Sequence, residues 1–431
     1  MFRIFTVLIV FCLTAPVFCF GQSQKADTAK PFLMRHINAL TDESMYGRGY
    51  VNNGRHKASV YLQKEFRRYG LQPAGNRKSY VQRYSFPVNT FPGTMKLSFN
   101  GVSQVPGKDF IIDAGSSEYI GGNLNVKTVS LAGVKTKSDW LAIRTTITNE
   151  SNAYYLTDID TLCKLMGTRR HHIAATLPAG CFIVPQKDKF IWTVSQDRIA
   201  ATVFYINDDA ANAEIKTVSA DVENRWIRSG KNDNIAGVIP GEVTDTFIAI
   251  TAHYDHLGMM GNDAVFPGAS DNASGTAMLL YMARYFQAHP QHYSILFIAF
   301  SGEEAGLVGS QYFTKHPLVP LGSIKFLTNM DIMGDATDGI TVVNATEYPA
   351  QYSQLQAINE RGHYLPQVKS RGKAANSDHY HFSEAGVPSF FIYTNGGKGF
   401  YHDINDKAGE LSMNHIDDIA HLLTDFLSEI K

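Results

Sequence analysis

From Asn234 onward the chain alternates apolar, β-branched runs with amphipathic helical stretches, and that alternation restricts it to an α/β sheet covered on both faces. IAGVI and FIAITA read as strands, SILFIAFS as a buried strand, and IKFLTNMD and VPSFFIYT as further ones. Between the second and third lies TAMLLYMARYFQAH, which has the period of a helix and begins behind Ser274, a natural N-cap residue. Ile416, Ile419, Leu422, Leu423, Phe426 and Ile430 make the inner stripe of a last helix, opened by Asn414. In an open sheet of this kind ligands bind outside the C-terminal ends of the strands. Side chains that follow these apolar runs are therefore the first candidates for chemistry.

Eight side chains in or near such positions stand out. His253 emerges from FIAITA in the stretch TAHYDH, and Asp255, two residues on, is placed to hold the distal imidazole nitrogen. His256 is a weaker ligand candidate. Asp271, in GASDNASG, precedes a helix among small residues that permit close backbone approach, and a carboxylate can bridge two divalent cations with its two oxygens. Glu303 and Glu304 are adjacent after a strongly apolar strand, where two carboxylates without a cation repel and resist burial. A metal resolves that conflict, one glutamate ligating and the other accepting a proton. Asp331 ends IKFLTNMD, and His402 lies on a loop beyond VPSFFIYT. Nitrogen and oxygen donors alone suit zinc or another borderline divalent ion.

The rest of the chain reads differently. Helices are expected from Pro31 to Leu40 and from about Arg55 to Tyr69, with Gly70 as a stop and Gly47-Arg48-Gly49 as a tight turn between them. Residues 85–226 carry short β-branched and aromatic runs such as MKLSFNG, FIIDAG and ATVFYIN, which read as a β-rich insertion. Its basic cluster Arg169, Arg170, His171 and His172 reads as a solvated loop. The first 21 residues place Arg3 before an apolar run ending in small residues, the layout of a cleavable signal peptide. Pro16 interrupts a run already short for a membrane span, and Phe18 is bulky where a small residue precedes a lipidated cysteine. A periplasmic or secreted protein with no stable membrane span after cleavage is the expectation. Cys163 and Cys181 then remain, either as one disulfide or as two buried free thiols. With 39 Lys and Arg against 40 Asp and Glu, nothing in the charge balance suggests a nucleic-acid partner.

The stretches HYD, SDNASG, GEE, NMD and YH, with SDHYHF before the last, resemble the co-catalytic zinc exopeptidases of the bacterial leucyl aminopeptidase and glutamate carboxypeptidase kind, the clan MH metallopeptidases. The resemblance covers about Asn234 to Lys431 and, more loosely, the first helical region. It implies a three-layer α/β/α sandwich around a mixed β-sheet, with residues 22–84 and 227–431 forming one peptidase domain. It also implies two zinc ions per chain: His253 and Asp331 on separate metals, Asp271 bridging, Glu304 and His402 completing the ligands, and Glu303 as general base. A cis peptide after Asp271 comes with the same resemblance. The implied activity is hydrolysis of peptide or aminoacyl substrates, most naturally by an aminopeptidase, with a metal-bound hydroxide as the attacking group. Asp403 and Lys407 stand where the family commonly has threonine, which leaves the support of His402 open. A glutaminyl cyclase-like acyltransferase with one zinc and a catalytically inactive binding relative are the competing readings.

Overall fold

The computed structural model describes residues 28–75, 77–147, 152–207 and 214–430, so the expected leader, residues 1–21, lies outside the described residues. One sheet runs from edge to edge through Gln72–Pro73, Arg225–Ile239, Tyr293–Phe300, Val243–His253, Ile324–Met330, Ser389–Thr394, Ile340–Val343 and Val368–Ser370. Val81–Thr90 also pairs with Arg225–Ile239. The four middle strands are parallel, and antiparallel partners flank them on both sides, which makes the sheet mixed.

Because successive side chains of a strand point to opposite faces, each central strand feeds two cores. Ile248, Ile250, Ala252, Ile295, Phe297 and Ala299 enter one of them. Ala29–Leu40, Gly54–Arg68, Gly275–Ala288, Pro349–Gly362 and Ile416–Glu429 supply the helical side of that core. Phe247, Ala249, Leu296, Ile298 and Phe300 enter the other, against Phe313 and Phe382 of the helices Val308–Lys315 and His379–Glu384. Each fully buried Leu, Ile or Phe contributes about 1.5–3 kcal/mol, which is what holds helices on both faces. The result is the expected α/β/α sandwich.

Local signals behave with two exceptions. The second helix ends where Gly70 takes a φ of +74° and Leu71 N–H bonds to the Phe66 carbonyl at 3.0 Å. Ser274, however, has helical backbone angles and makes no capping bond. Its hydroxyl instead donates to the Ser270 carbonyl at 2.6 Å and accepts from Met333 N–H at 2.7 Å. The last helix starts at Ile416 behind His415 rather than at Asn414, whose amide donates to Thr337 Oγ1 at 2.9 Å, and Ile430 falls just past its end.

Residues between the paired strands Val81–Thr90 and Arg225–Ile239 form a second, eight-stranded sheet with its own core, including Phe110, Trp140, Leu156, Phe182 and Phe204. The positions 84 and 226 fall inside that pair of strands, the ribbon that carries the insertion. It is rich in strand, but Lys137–Thr146, Ile159–Met166 and Arg170–Ala174 are helices between its parallel strands. The basic cluster is not a simple solvated loop: Arg170 pairs with Asp160 at 2.7 Å and His171 with Asp113 at 2.8 Å. Leu257, Met260 and Phe266, from the segment that follows His253, join this second core and fix the insertion beside the sheet's C-terminal edge. Cys163 and Cys181 are free thiols.

Candidate metal centre

Sheet register builds the site. Thr251 stands opposite Asn329 in the parallel pair Val243–His253 and Ile324–Met330, so the chain delivers His253 and Asp331 side by side at the same edge. His253 Nε2 lies 3.2 Å from Asp331 Oδ1 and 3.3 Å from Asp271 Oδ1. On the other side, His402 Nε2 lies 3.2 Å from Asp271 Oδ2 and 2.9 Å from Glu304 Oε2. Each oxygen of Asp271 thus faces a different histidine, and each histidine has a further carboxylate of its own. The distances pair His253 with Asp331, not on separate sides as the resemblance implied, because these residues end neighbouring strands. Glu303 joins His253 and Asp331 in one group of three convergent ligand atoms, and Glu304 joins His253 and Asp271 in another.

Each of these side chains is held from behind. His253 Nδ1–H donates to the Asp255 carbonyl at 3.2 Å, whereas the Asp255 carboxylate, expected to hold that nitrogen, is 3.8 Å away and instead accepts from Glu303 N–H at 3.3 Å. Asp331 Oδ2 accepts from Ser377 Oγ at 2.9 Å, which accepts from Asn329, which accepts in turn from Thr251. Asp406 accepts the backbone N–H groups of Ser270 and Asp271 at 2.8 and 3.0 Å. His256 is fully buried, with Nδ1 2.6 Å from Glu304 Oε1. His402 Nδ1 lies 2.7 Å from the Trp192 carbonyl of the insertion, which supplies the support that Asp403 and Lys407 left open. Tyr401 stacks on His402, ring centres 3.8 Å apart.

Arg48, read as part of a turn, is wholly buried behind this edge. Its guanidinium donates to the carbonyls of Tyr254, Leu40, Pro267 and Gly268 at 2.8, 3.0, 2.6 and 2.7 Å. Gly275 is required by close approach: a Cβ there would stand 2.3 Å from Asn272 Oδ1 and 2.6 Å from the Met330 carbonyl. The peptide between Asp271 and Asn272 is cis. Arg48, Ser377 and Asp406 act on neighbours far away in sequence, so their roles have no local signature, although Ser377 opens the SDHYHF stretch that carries part of the resemblance.

The electrostatics fit a divalent pair. Burial disfavours ionisation of Asp271, but the two imidazoles outweigh it and hold its carboxyl well below the usual range. Burial pushes the Glu303 carboxyl well up, His253 opposes, and the charges of Glu304, Asp331 and Asp378 reinforce the rise. Burial likewise raises Asp378 to about 7 and Asp255 to about 6. So many enclosed carboxylates are stable together only with compensating cations. The His402 Nε2 atom is buried and, despite its two near carboxylates, makes a well-formed hydrogen bond to neither. It points into the space between them, as a ligand atom does, and the oxygen and nitrogen donors fit zinc.

Comparison with known proteins agrees with the geometry. Residues 234–427 match the model of peptidase family M28. Aminopeptidase YwaD of Bacillus subtilis is 28% identical over 246 residues, 54% of this chain and 52% of that protein. Leucine aminopeptidase 1 of Metarhizium robertsii is 25% identical over 242 residues, 52% of this chain and 61% of that protein. The matched segment thus spans only about half to three-fifths of these curated relatives. In fold the likeness extends over almost the whole chain. The zinc aminopeptidase BSAP from Bacillus subtilis superposes with a TM-score of 0.69 at 20% identity, over 93% of this chain and 95% of that one. A peptidase M28 precursor from Shewanella amazonensis gives 0.63 at 15% identity, over 93% and 95%. The segment that carries this register and these convergent ligands is thus the one, residues 234–427, that is similar to peptidase family M28.

Proposed function

We propose that the protein is a two-zinc exopeptidase of the aminopeptidase kind, acting on peptide or aminoacyl substrates. The observation that carries this reading is Asp271, whose two oxygens each face a different histidine, with Glu303 beside them. His253 and Asp331 would hold one ion, His402 and Glu304 the other, and Asp271 both. The chemistry two zinc ions supply when bound is a lowered pKa for water, from about 16 toward about 7, and polarisation of a carbonyl. Glu303 takes the water proton and returns it to the leaving amine. Its carboxylate converges with His253 and Asp331, and its backbone N–H, held by Asp255, fixes where that carboxylate starts. Asp255, Ser377, His256 and Trp192 orient the ligands. The apolar leader points to export, with a mature chain beginning near Gln22.

Paired substitutions test the reading. Glu303→Gln keeps the shape and cannot accept the proton, so it should retain about two zinc equivalents while turnover falls roughly 10²- to 10⁴-fold. Glu304→Gln should lose metal, and activity with it. The assignments must be exchanged if those outcomes are reversed, and near-normal turnover in Glu303→Gln rejects the mechanism. One equivalent of zinc with full activity favours the one-zinc acyl transfer instead. Intact mass of protein from the native host checks the leader: retention of Met1 overturns export.

A further inference from the structure

The inserted sheet reaches the metal centre through one short segment. Besides the Trp192 carbonyl at His402 Nδ1, the backbone N–H of Trp192 faces the His402 carbonyl at 3.4 Å. Three residues earlier, Lys189 Nζ donates to the carbonyls of Gly399 and Tyr401 at 2.6 and 2.9 Å and lies 3.6 Å from Asp403 Oδ2. A single ammonium therefore grips the chain on both sides of the metal-ligand candidate.

The two partners differ in how firmly they are held. The insertion segment is anchored: Trp192 Nε1 donates to the Ile112 carbonyl at 2.9 Å, and its ring stacks on Phe266 at 4.8 Å. Gln186 donates to the Lys189 carbonyl at 2.9 Å and accepts from Arg170 at 2.7 Å. The loop it grips contains Gly396, Gly397 and Gly399, all at positive φ, and a glycine-rich loop loses more conformational entropy on ordering than an ordinary one. A loop of this composition gains its single geometry from outside.

We propose that Lys189 is a positioning residue for the His402 loop, so that the insertion completes the metal centre rather than merely bordering it. The inference rests on reading His402 as a metal ligand. A ligating histidine depends on the group that holds its other ring nitrogen, and loss of such support typically weakens metal affinity or activity about 10- to 100-fold. Trp192 provides that group through its backbone. Lys189 provides the register that keeps the histidine under it.

Lys189→Met removes the donors and keeps the stem, Lys189→Arg restores donors, and Lys187→Met removes a neighbouring exposed charge as control. Zinc affinity is read by chelator competition, turnover on an aminoacyl p-nitroanilide, and amide hydrogen exchange of residues 396–403 on metal-free full-length protein. Lys189→Met should weaken one of the two zinc ions about 10- to 100-fold, lower kcat more than KM changes, and speed loop exchange. Lys189→Arg should recover most of each, and Lys187→Met should match wild type. Wild-type exchange in metal-free Lys189→Met overturns the proposal, as does a lower melting temperature with unchanged zinc affinity and kcat. If wild-type protein binds no zinc, the functional reading fails, and loop exchange alone still decides whether Lys189 holds the loop.

Discussion

Replacing Arg48 by Met separates a structural clamp from a side chain that only fills space. Arg48 is wholly buried, and its four shorter hydrogen bonds tie together carbonyls from the first helix, the segment after His253 and the two residues at 267 and 268. A fifth carbonyl, that of Asp271, lies at 3.4 Å. Methionine keeps the length and apolar volume of the stem, so no large cavity forms, but every donor is lost. Hydrogen bonds to charged groups contribute about 1.5–3 kcal/mol each, a gross loss of roughly 6–12 kcal/mol for four. Against this stands the desolvation of a buried charge, several kcal/mol, which methionine does not incur. That burial is visible in the guanidinium itself, pulled down to about 10 while Asp406 and Asp271 oppose the fall. The net expectation is a destabilisation of about 3–5 kcal/mol, a large part of the roughly 5–15 kcal/mol that holds a domain folded. Urea unfolding followed by far-UV circular dichroism measures it as a lower midpoint at constant slope. Zinc content should fall as well, since the clamped carbonyls precede and include Asp271. A shift below about 1 kcal/mol with full zinc content would refute the clamp.

Two further outcomes follow from the insertion. The hydrogen bond to Asp113 raises His171 above its ordinary 6.5, with burial opposing, so the protonated form is favoured in the folded state. Its contribution is full below about pH 6.5 and is lost as pH rises through the higher folded value; protection of the amides in Phe110–Ile112 and Ala201–Ile206, measured as exchange corrected for its intrinsic pH dependence, should fall across that window in wild type and stay level in His171→Gln, and pH-independent protection in wild type would refute it. Burial pushes the Cys181 thiol up to about 12 and raises Cys163 as well, so in a chain lacking residues 1–21, and with them Cys12 and Cys19, a thiol reagent should find Cys181 inert and Cys163 slow in native protein, and two thiols after denaturation without reductant; a count of zero would establish a disulfide instead.

Four of the site residues that could be read from sequence share one property: they lie directly after apolar strand runs. In a sheet with parallel central strands, that position alone carries His253, Glu303, Glu304 and Asp331 to a common edge, and small residues around Asp271 marked a close backbone approach. What could not be read depends on which strands are neighbours. Chain order puts Tyr293–Phe300 between Val243–His253 and Ile324–Met330, yet in the sheet the middle position belongs to Val243–His253. That exchange is why His253 stands against Asp331. The supports were hidden for a second reason: a backbone carbonyl has no sequence signature. Trp192 holds His402 across 210 residues and Arg48 holds Tyr254 across 206, each through a carbonyl. A tight Gly-Arg-Gly turn was the natural reading of residues 47–49, and it accounts for the glycines. Gly47 and Gly49 would each bring a Cβ within 2.3–2.4 Å of the backbone around Gly258 and Phe266, so they let the turn lie against the segment after His253. That same closeness puts Arg48 within reach of its carbonyls. The turn and the buried arginine are one device, and only the long-range half of it was invisible.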